Sequence, residues 1–472
     1  MLGTRISESV SKKLNYTPTP SQDLLIKELS EFSLAGRDGD VLLVKGFAGT
    51  GKTTTLSAYI KTLNELGTKS ILLAPTGRAA KVLMNYAGHT AQTIHKKIYR
   101  QVSSVDGFGR FQLDRNLHSQ TIFVVDEASM IHHEQNNASP FGSGSLLLDL
   151  LHYVNNGKGC RLILMGDTAQ LPPIGTLLSP ALDKDEIRKA GFSVKEITLS
   201  DVVRQTETSS ILTNATNIRN KIETNNFTLP LFNFSHGDQV VSLPGSELIE
   251  ALGNSYNRCG TKNTLVICRS NKRANKYNMG IRHQVFWREE ELSPGDMLMV
   301  VKNNYFWLKN SEAADFIANG DIIELLKVKK YSELYGFRFA WCTVRLVDYE
   351  IELDTILLLD SLHSESAALS TEQNKQLFYS ILEDYEQIKP KKKQYEMVRQ
   401  NEYFNALQVK YANAVTCHKA QGGQWKEIYV DAGYLTPENI DKEYLRWLYT
   451  AVTRATEKVY LVGFKEEYLS GS

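Results

Sequence analysis

Short runs of apolar residues alternate with longer amphipathic stretches along the first half of the chain. Runs of this length are typical of strands buried on both faces, and the stretches between them carry apolar residues at helical spacing. Strands that alternate with helices in this way predict a parallel sheet with helices on both sides. The predicted strands are 41–45, 70–74, 122–125 and 161–165.

The second half of the chain shows the same pattern with an interruption. We predict a second parallel lobe there, from strands and a helix at 264–268, 270–282, 427–430 and 458–462. Evenly spaced alternating runs inside it predict a small β-barrel, with strands at 322–328, 340–346 and 351–359. In the first half, two short runs around a Gly-containing connection predict a β-hairpin, with strands at 99–102 and 109–113.

The composition is that of a folded protein with more than one core. The chain has 472 residues, of which 42% are hydrophobic, and single cores stop growing at about 250–300 residues. Because 54 basic residues face 53 acidic ones, any nucleic-acid surface must be a local patch. The five cysteines lack metal-site spacing, and neither a secretory signal nor a membrane span is visible, so we expect a cytoplasmic protein with reduced thiols.

A glycine-rich loop follows the first predicted strand. The segment Gly46-Phe-Ala-Gly-Thr-Gly-Lys-Thr53 stands between that strand and a helical stretch, which is the context of a Walker A phosphate loop. Its glycines let backbone N–H groups turn toward phosphates, and the helix N-terminus adds its dipole. We expect Lys52 to neutralise the β- and γ-phosphates and Thr53 to bind Mg²⁺. The sequence therefore predicts ATP and Mg²⁺ as ligands, and a glycine loop without function is the alternative.

Two carboxylates end the predicted strand at 122–125. In a parallel sheet the carboxyl end of this strand lies beside the phosphate loop. We therefore expect Asp126 to hold the Mg²⁺ shell and Glu127 to orient and deprotonate the attacking water. An apolar run followed by Asp-Glu is common by accident, so this prediction depends on the loop upstream.

Five segments of the first half resemble, in order, motifs I, Ia, Ib, II and III of superfamily 1 helicases. They are GFAGTGKTT, APTGRAAK, TIH, VVDEAS and MGDTAQLPP. Three segments of the second half are similar to motifs IV, V and VI, namely LSDVVRQ, AVTCHKAQGG and LYTAVTRA. The RecD/Dda-like branch, whose members move 5′→3′ on single-stranded DNA, is the group that these segments resemble most.

The resemblance implies an α/β fold with two RecA-like parallel-sheet motor domains that share one ATP. It also implies a β-hairpin insertion, domain 1B, that splits the duplex, and an SH3-like β-barrel insertion, domain 2B. The implied boundaries are 1–95 and 121–200 for domain 1A, 96–120 for 1B, 201–301 and 409–472 for 2A, and 302–408 for 2B.

The resemblance also assigns roles to residues at matching motif positions. The implied catalytic residues are Lys52, Glu127, Gln170 and two arginine fingers from the second motor domain, Arg204 and Arg454, while Asp167 joins Gln170 as γ-phosphate sensor. The implied nucleotide contacts are Gln22 (a Q motif that reads adenine), Gly46, Ala48, Gly49, Thr50, Gly51, Lys52, Thr53, Thr54, Arg204, Gly423 and Arg454, and Thr53 and Asp126 hold Mg²⁺, through water. The implied DNA contacts are Pro75, Thr76, Thr93, His95, Phe108, Phe111, Thr416, His418 and Lys419.

Several of these residues admit a second interpretation. Gln22 also fits an exposed helix position, and either arginine finger also fits a surface ion pair. The two histidines of the DNA set also fit packed structural positions. Phe108 and Phe111 either stack on a base or anchor the hairpin to its own domain. The basic run at 389–393 is either a solvated helix flank or a DNA-facing patch.

The sequence thus predicts an ATP- and Mg²⁺-dependent DNA helicase that translocates 5′→3′ on single strands and unwinds duplex DNA. The expected partners are single-stranded DNA and single-strand/duplex junctions, with no membrane. We expect a monomeric motor, with accessory repair or replication proteins as further partners. Two alternatives stay open: a motor subunit of a recombination or repair nuclease complex, and a DNA-stimulated ATPase that remodels without separating strands.

Overall fold

The structure is a computed structural model that describes residues 2–102, 110–132, 141–201, 209–228, 230–234, 239–308, 316–366, 368–434 and 436–465. The strands are β1 Val41–Gly46, β2 Lys69–Ala74, β3 Ala91–Thr93, β4 Tyr99–Val102, β5 Arg110–Leu113, β6 Thr121–Val125, β7 Arg161–Gly166, β8 Val194–Leu199, β9 Val240–Leu243, β10 Thr264–Cys268, β11 Met297–Val300, β12 Ile322–Leu334, β13 Phe337–Leu346, β14 Ile351–Leu358, β15 Leu407–Tyr411, β16 Ala414–Thr416, β17 Trp425–Asp431 and β18 Ala455–Val462. The α-helices are α1 Leu2–Lys13, α2 Pro20–Ala35, α3 Lys52–Glu65, α4 Gly77–Ala87, α5 Ile94–Ile98, α6 Leu146–Asn155, α7 Lys184–Lys189, α8 Ser210–Glu223, α9 Leu248–Cys259, α10 Asn271–Gly280, α11 Asp360–His363, α12 Thr371–Glu383, α13 Lys391–Gln400, α14 Cys417–Ala420 and α15 Lys442–Val452.

The first lobe is built on six parallel strands in the order β3, β2, β6, β7, β1, β8. The central strands are apolar along their whole length because helices cover both faces. Helices α1 to α4 pack on one face, and α5 to α7 pack on the other.

Helix α1 is an element that the sequence analysis overlooked. The sequence of this segment is mostly polar. Its apolar residues Ile6, Val10 and Leu14 recur at a spacing of four and are buried in the first-lobe core. A narrow apolar stripe on an otherwise polar stretch is the signature of a surface helix.

The second lobe is built on five parallel strands in the order β16, β10, β17, β18, β9. Helices α8 and α15 share the core on one face, and α9 and α10 share the core on the other. The two lobes thus repeat one α/β architecture, as the alternation of elements predicts.

Strands β11 to β15 close a barrel between elements of the second lobe. Its pairs are antiparallel apart from β14 with β15. The barrel begins at Met297 and ends at Tyr411, so it extends beyond the predicted 302–408 on both sides. Helices α11 to α13 are inserted before its last strand, and the basic run at 389–393 leads into α13.

Strands β4 and β5 pair as an antiparallel hairpin on the first lobe, which confirms the predicted hairpin. The predicted fold class, two parallel-sheet α/β lobes with a hairpin and a barrel inserted, is therefore confirmed. Within the described ranges, none of the helices has the length and apolar character needed to cross a bilayer.

Candidate nucleotide and nucleic-acid site

A glycine-rich loop joins β1 to α3 in the first lobe. Gly49 and Gly51 have φ angles of 79° and 77°, in the left-handed region that favours glycine. Gly51 supplies no capping side chain to α3, so the first turn of the helix presents N–H groups to an anion. Lys52 opens the helix, and its Nζ donates to the carbonyl of Phe47 at 2.8 Å. The loop thus has the backbone shape and the charge of a phosphate cradle.

A cavity of about 650 Å³ opens between the two lobes beside this loop. The predicted site residues in its wall are Ala48, Gly49, Gly51, Lys52, Thr53, Thr54, Asp126, Glu127, Gln170 and Arg454. Arg454 comes from the second lobe and the others come from the first, so the cavity is composite. Thr50 is buried beneath the loop instead, where its hydroxyl donates to the carbonyl of Phe47 at 2.8 Å, and a Cβ on Gly46 would lie 2.9 Å from the Lys52 side chain.

Asp126 and Glu127 stand at the carboxyl end of β6, as predicted. Burial and, to a lesser extent, the negative charge of Glu127 raise the pKa of Asp126 to about 6. Glu127 has a φ of 53°, which is rare for a residue with a side chain and occurs mostly where function requires it. Two adjacent carboxyls in a buried site favour a cation between them and a phosphate, so the donor set fits Mg²⁺.

Arg454 reaches the site from the segment that follows α15. Its Nη1 lies 3.8 Å from Oε1 of Glu127 across the lobe boundary. The guanidinium is buried and is held by the carbonyls of Thr450 and Gly423, at 3.2 and 3.3 Å. Gly423 therefore contacts the arginine, and it is the neighbouring Gly422 that lines the cavity. The other predicted arginine finger, Arg204, lies outside the described residues.

Asp167 and Gln170 follow β7 in the loop that was predicted to sense the γ-phosphate. Oδ2 of Asp167 lies 3.9 Å from Nζ of Lys52 and accepts a hydrogen bond from the hydroxyl of Tyr449 at 2.7 Å. Gln170 lines the cavity, and its buried Oε1 has no hydrogen-bond partner among the described residues. A buried carbonyl oxygen without a donor indicates a ligand or water that completes the site.

Gln22 is buried, which excludes the exposed helix position that the sequence left open. Its Nε2 donates to the carbonyl of Thr50 at 3.0 Å and to the hydroxyl of Tyr16 at 3.2 Å. Its Oε1 accepts from the backbone N–H of Thr19 at 3.0 Å, which closes a capping box at the start of α2. The side-chain amide of Gln22 is thus hydrogen-bonded to the phosphate loop and to the helix cap. Tyr16, and not Gln22, lines the cavity.

The predicted DNA contacts of the first lobe follow β2 and β3, where Pro75 precedes Thr76. Thr76 caps α4 and Thr93 caps α5, each hydroxyl accepting a backbone N–H at 3.2 Å. Thr93 also lines a second cavity, of about 310 Å³, between this lobe and the barrel. His95 packs against the rings of Tyr99 and Phe141, and burial lowers its pKa to about 4. His95 is therefore neutral at pH 7, which fits the packed structural position.

The predicted DNA contacts of the second lobe lie at the end of β16 and on α14. Thr416 occupies the N-cap position of this short helix without a capping hydrogen bond from its side chain, and His418 and Lys419 stand on the helix. Burial lowers the pKa of both basic groups. Gly422 brings this segment to the first lobe, because a Cβ there would lie 3.3 Å from Oγ1 of Thr76. The segment that follows α14 therefore meets the first lobe at Thr76.

Phe111 anchors the hairpin, which corrects its predicted role as a base-stacking residue. It is only 9% exposed, and its ring lies 4.7 Å from that of Phe141 and 4.5 Å from that of Tyr305 in the barrel domain. A base would have to displace one of these rings. Phe108 lies outside the described residues.

Three residues at the lobe boundary were missed as site residues. Tyr449 hydrogen-bonds to the phosphate loop, Arg78 stacks on Trp425 of the other lobe with its Cζ 3.9 Å from the ring centre, and Tyr16 lines the nucleotide cavity. Arg78 and Tyr449 stand inside the quoted motifs, but the contact of each depends on the second lobe folding back on the first. Neither the periodicity of apolar residues nor the spacing of the motifs predicts how the two lobes pack.

Two family models match parts of the chain. A family model for an AAA domain matches residues 32–228, and one for a UvrD-like helicase C-terminal domain matches residues 411–462. The chain is 35% identical to the ATP-dependent RecD2 DNA helicase of Deinococcus radiodurans over 138 residues, which are 28% of this chain and 16% of that protein. It is 30% identical to the ATP-dependent DNA helicase Pif1 of a Psychrobacter species over 145 residues, 30% of this chain and 21% of that protein.

The chain therefore spans about a fifth or less of these two curated relatives. The Bacteroides Pif1 helicase in complex with ADP-AlF3 and single-stranded DNA aligns over 97% of this chain and 95% of its own, with 14% identity and a TM-score of 0.45. The AAA-domain match covers the strands of the first lobe, and the helicase C-terminal match covers β16 to β18 of the second. These two matches lie on the two walls of the cavity and the motifs stand in their family order, so the chain is similar to helicases of the RecD/Pif1-like branch of superfamily 1.

Proposed function

We propose that the chain is an ATP-dependent DNA helicase that moves 5′→3′ on single-stranded DNA and unwinds duplex DNA. The observation that carries the proposal is the composite cavity. Lys52 of the first lobe and Arg454 of the second line the same cavity, with Arg454 3.8 Å from Glu127. A nucleotide bound there touches both lobes, so its binding and release change how the lobes are held together.

In this proposal the phosphates of ATP lie on the loop from Gly46 to Thr54. Lys52 and Arg454 neutralise the charge that spreads over the transferred phosphoryl group. Glu127 orients the attacking water and takes its proton. Thr53 and Asp126 hold Mg²⁺, which supplies charge neutralisation on the phosphates when it is bound.

The remaining assignments concern partners and domains. Thr76 and Thr93 of the first lobe, with Thr416 and Lys419 of the second, hold the DNA backbone without reading its sequence. The lobes act as motor domains 1A and 2A, the hairpin as 1B and the barrel as 2B. The names of the relatives, a RecD2 and a Pif1 DNA helicase, support DNA as the substrate, and the 5′→3′ direction rests on the family resemblance.

The test is unwinding by the purified single chain with ATP and Mg²⁺. We expect DNA-stimulated ATPase activity and separation of a 5′-tailed duplex but not of a 3′-tailed one. ATPase without unwinding favours the remodelling alternative, and inactivity alone favours a subunit of a larger complex.

Lys52→Ala tests the nucleotide site directly. The substitution removes the cation of the phosphate loop, so ATP hydrolysis should fall by at least about 100-fold while single-stranded DNA still binds. Lys61→Ala is the matched control because Lys61 is exposed on the same helix. Full ATPase activity of the Lys52 variant would contradict the assigned site.

A further inference from the structure

A tyrosine of the second lobe is hydrogen-bonded to the phosphate loop. Tyr449 lies on α15, and its side chain crosses the lobe boundary with 1% of the residue exposed. The backbone N–H of Ala48 donates to its hydroxyl at 2.8 Å. The hydroxyl in turn donates to Oδ2 of Asp167 at 2.7 Å. The Tyr449 hydroxyl thus donates one hydrogen bond to the first lobe and accepts one from it.

A second contact lies beside the first. Arg219, on α8, places its guanidinium 4.5 Å from the centre of the Phe47 ring, next to Ala48 in the loop. Helices α8 and α15 pack in the same core of the second lobe. The loop segment Phe47–Ala48 is therefore held from outside by two neighbouring helices of the opposite lobe.

The hydroxyl of Tyr449 serves more than packing. A phenylalanine would fill nearly the same volume, and burying a hydroxyl is unfavourable unless it is hydrogen-bonded. Both of its partners stand at the phosphate cradle: Ala48 is part of the loop, and Asp167 lies 3.9 Å from Nζ of Lys52. A hydrogen bond to a carboxylate is among the stronger ones.

The same helix leads to the arginine of the site. Arg454 follows the end of α15 by two residues and is tied to it by the carbonyl of Thr450 at 3.2 Å. A displacement of Ala48 or Asp167 is therefore transmitted to Arg454 through the hydroxyl of Tyr449 and through helix α15. We propose that Tyr449 is a positioning residue of the nucleotide site, which ties the phosphate loop and Asp167 to the helix that carries Arg454. It touches no nucleotide itself, and the inference rests on the proposed ATPase function.

The decisive variant is Tyr449→Phe in the full chain. The kcat of DNA-stimulated ATP hydrolysis should fall about 10- to 100-fold, because Arg454 is no longer held in its position relative to the phosphate loop. The KM for ATP and the affinity for single-stranded DNA should each change less than about threefold. Because a loss of folded protein would also lower the apparent kcat at an unchanged KM, kcat is expressed per chain that binds AMP-PNP.

Tyr429→Phe is the matched control. Tyr429 is a buried tyrosine of the same lobe, and its hydroxyl lies 2.6 Å from that of Ser255, within that lobe. Its loss should leave kcat within about twofold of the parent. The proposal is overturned if Tyr449→Phe keeps the parent kcat, or if both variants lose activity equally.

A double-mutant cycle with Asp167→Asn tests the connection itself. If the hydroxyl acts through the Asp167 carboxylate, Tyr449→Phe should lower kcat less than about threefold in the Asp167→Asn background. Additive losses would overturn the connection.

A binding measurement separates this inference from the proposed function. If the parent chain hydrolyses no ATP, the proposed function fails, and Tyr449 is then judged by the affinities for fluorescent AMP-PNP and ADP analogues. We expect Tyr449→Phe to lower the preference for the triphosphate analogue about two- to threefold, within the limit set above for the KM for ATP. An unchanged preference would overturn the inference.

Discussion

Asp321 is a buried acid at the contact between the barrel and the first lobe. Its Oδ2 accepts the backbone N–H of Ala318 at 2.8 Å, whereas its buried Oδ1 has no hydrogen-bond partner among the described residues. A Cβ on Gly77, at the start of α4, would lie 2.6 Å from that oxygen. Burial, with a smaller contribution from the charge of Asp348, raises the pKa of Asp321 to about 7.

This shift predicts a pH dependence of stability. The pKa of Asp321 is about 7 in the folded chain and 3.8 for an ordinary aspartate, so the folded state binds more protons between these values. Its contribution is favourable below about pH 4 and is lost as the pH rises from there to about 7. Asp321→Asn should therefore raise the free energy of unfolding by at most about 4 kcal/mol at pH 8 and by less than half as much at pH 5.

Denaturant unfolding at the two pH values measures the effect. Asp38→Asn is the control, because Asp38 is exposed and its substitution should shift stability little at either pH. An equal shift of the Asp321 variant at pH 5 and pH 8 would show that ionisation of Asp321 is not involved.

At the scale of single elements, the hairpin shows what sequence patterns can and cannot predict. The alternation of side chains predicts strands at 99–102 and 109–113, and the structure has Tyr99–Val102 and Arg110–Leu113. The direction of Phe111 was not predictable, because it depends on Phe141 and Tyr305, which are distant in sequence. Pairing within a hairpin is local, whereas the anchor of a hairpin is tertiary.

Phe111→Ala should loosen this hairpin from the first lobe and the barrel. Removing a buried phenylalanine costs about 3–5 kcal/mol, part of which is recovered by local rearrangement. We expect faster amide exchange in β4 and β5 and, under the proposed function, weaker duplex unwinding with DNA-stimulated ATPase retained. Phe111→Leu, which keeps most of the volume, should lie close to the parent, and unchanged exchange in the alanine variant would argue against the anchor.

At the scale of the whole molecule, the predictable part of the site is the part that each lobe forms alone. Lys52 and Asp126 follow from a loop and a strand end whose geometry is set within about one βαβ unit. The contact of Ala48 with Tyr449 joins residues 401 positions apart, and no local pattern encodes it. The capping role of Gln22 is a similar case, because a glutamine three residues after Thr19 fits both an adenine-reading motif and a capping box.

Several hydrogen bonds join the lobes along the loop that follows β7. The backbone N–H of Leu171 donates to Oγ1 of Thr450 at 2.9 Å, and its carbonyl accepts from Nε2 of Gln421 at 2.7 Å. Arg446 donates to the carbonyl of Leu177 in the same loop. The loop after β7 therefore contacts both α15 and the segment that precedes it. A displacement of this loop is transmitted to α15 through these packed groups.

The stack of Arg78 on Trp425 also joins the lobes and offers a test of their coupling. The guanidinium lies 3.9 Å from the ring centre, and a desolvated contact of this kind contributes about 1–2 kcal/mol. If the stack stabilises the arrangement in which both lobes contact the nucleotide, Arg78→Met removes that stabilisation. The affinity for AMP-PNP should then fall about 5- to 30-fold, because AMP-PNP binds to that arrangement. Lys458→Met removes a cation beside Tyr460 within one lobe and should leave AMP-PNP binding unchanged. Equal affinities of the Arg78 variant and the parent would mean that closure does not depend on this edge, and that the lobes are coupled through α15 and the loop after β7.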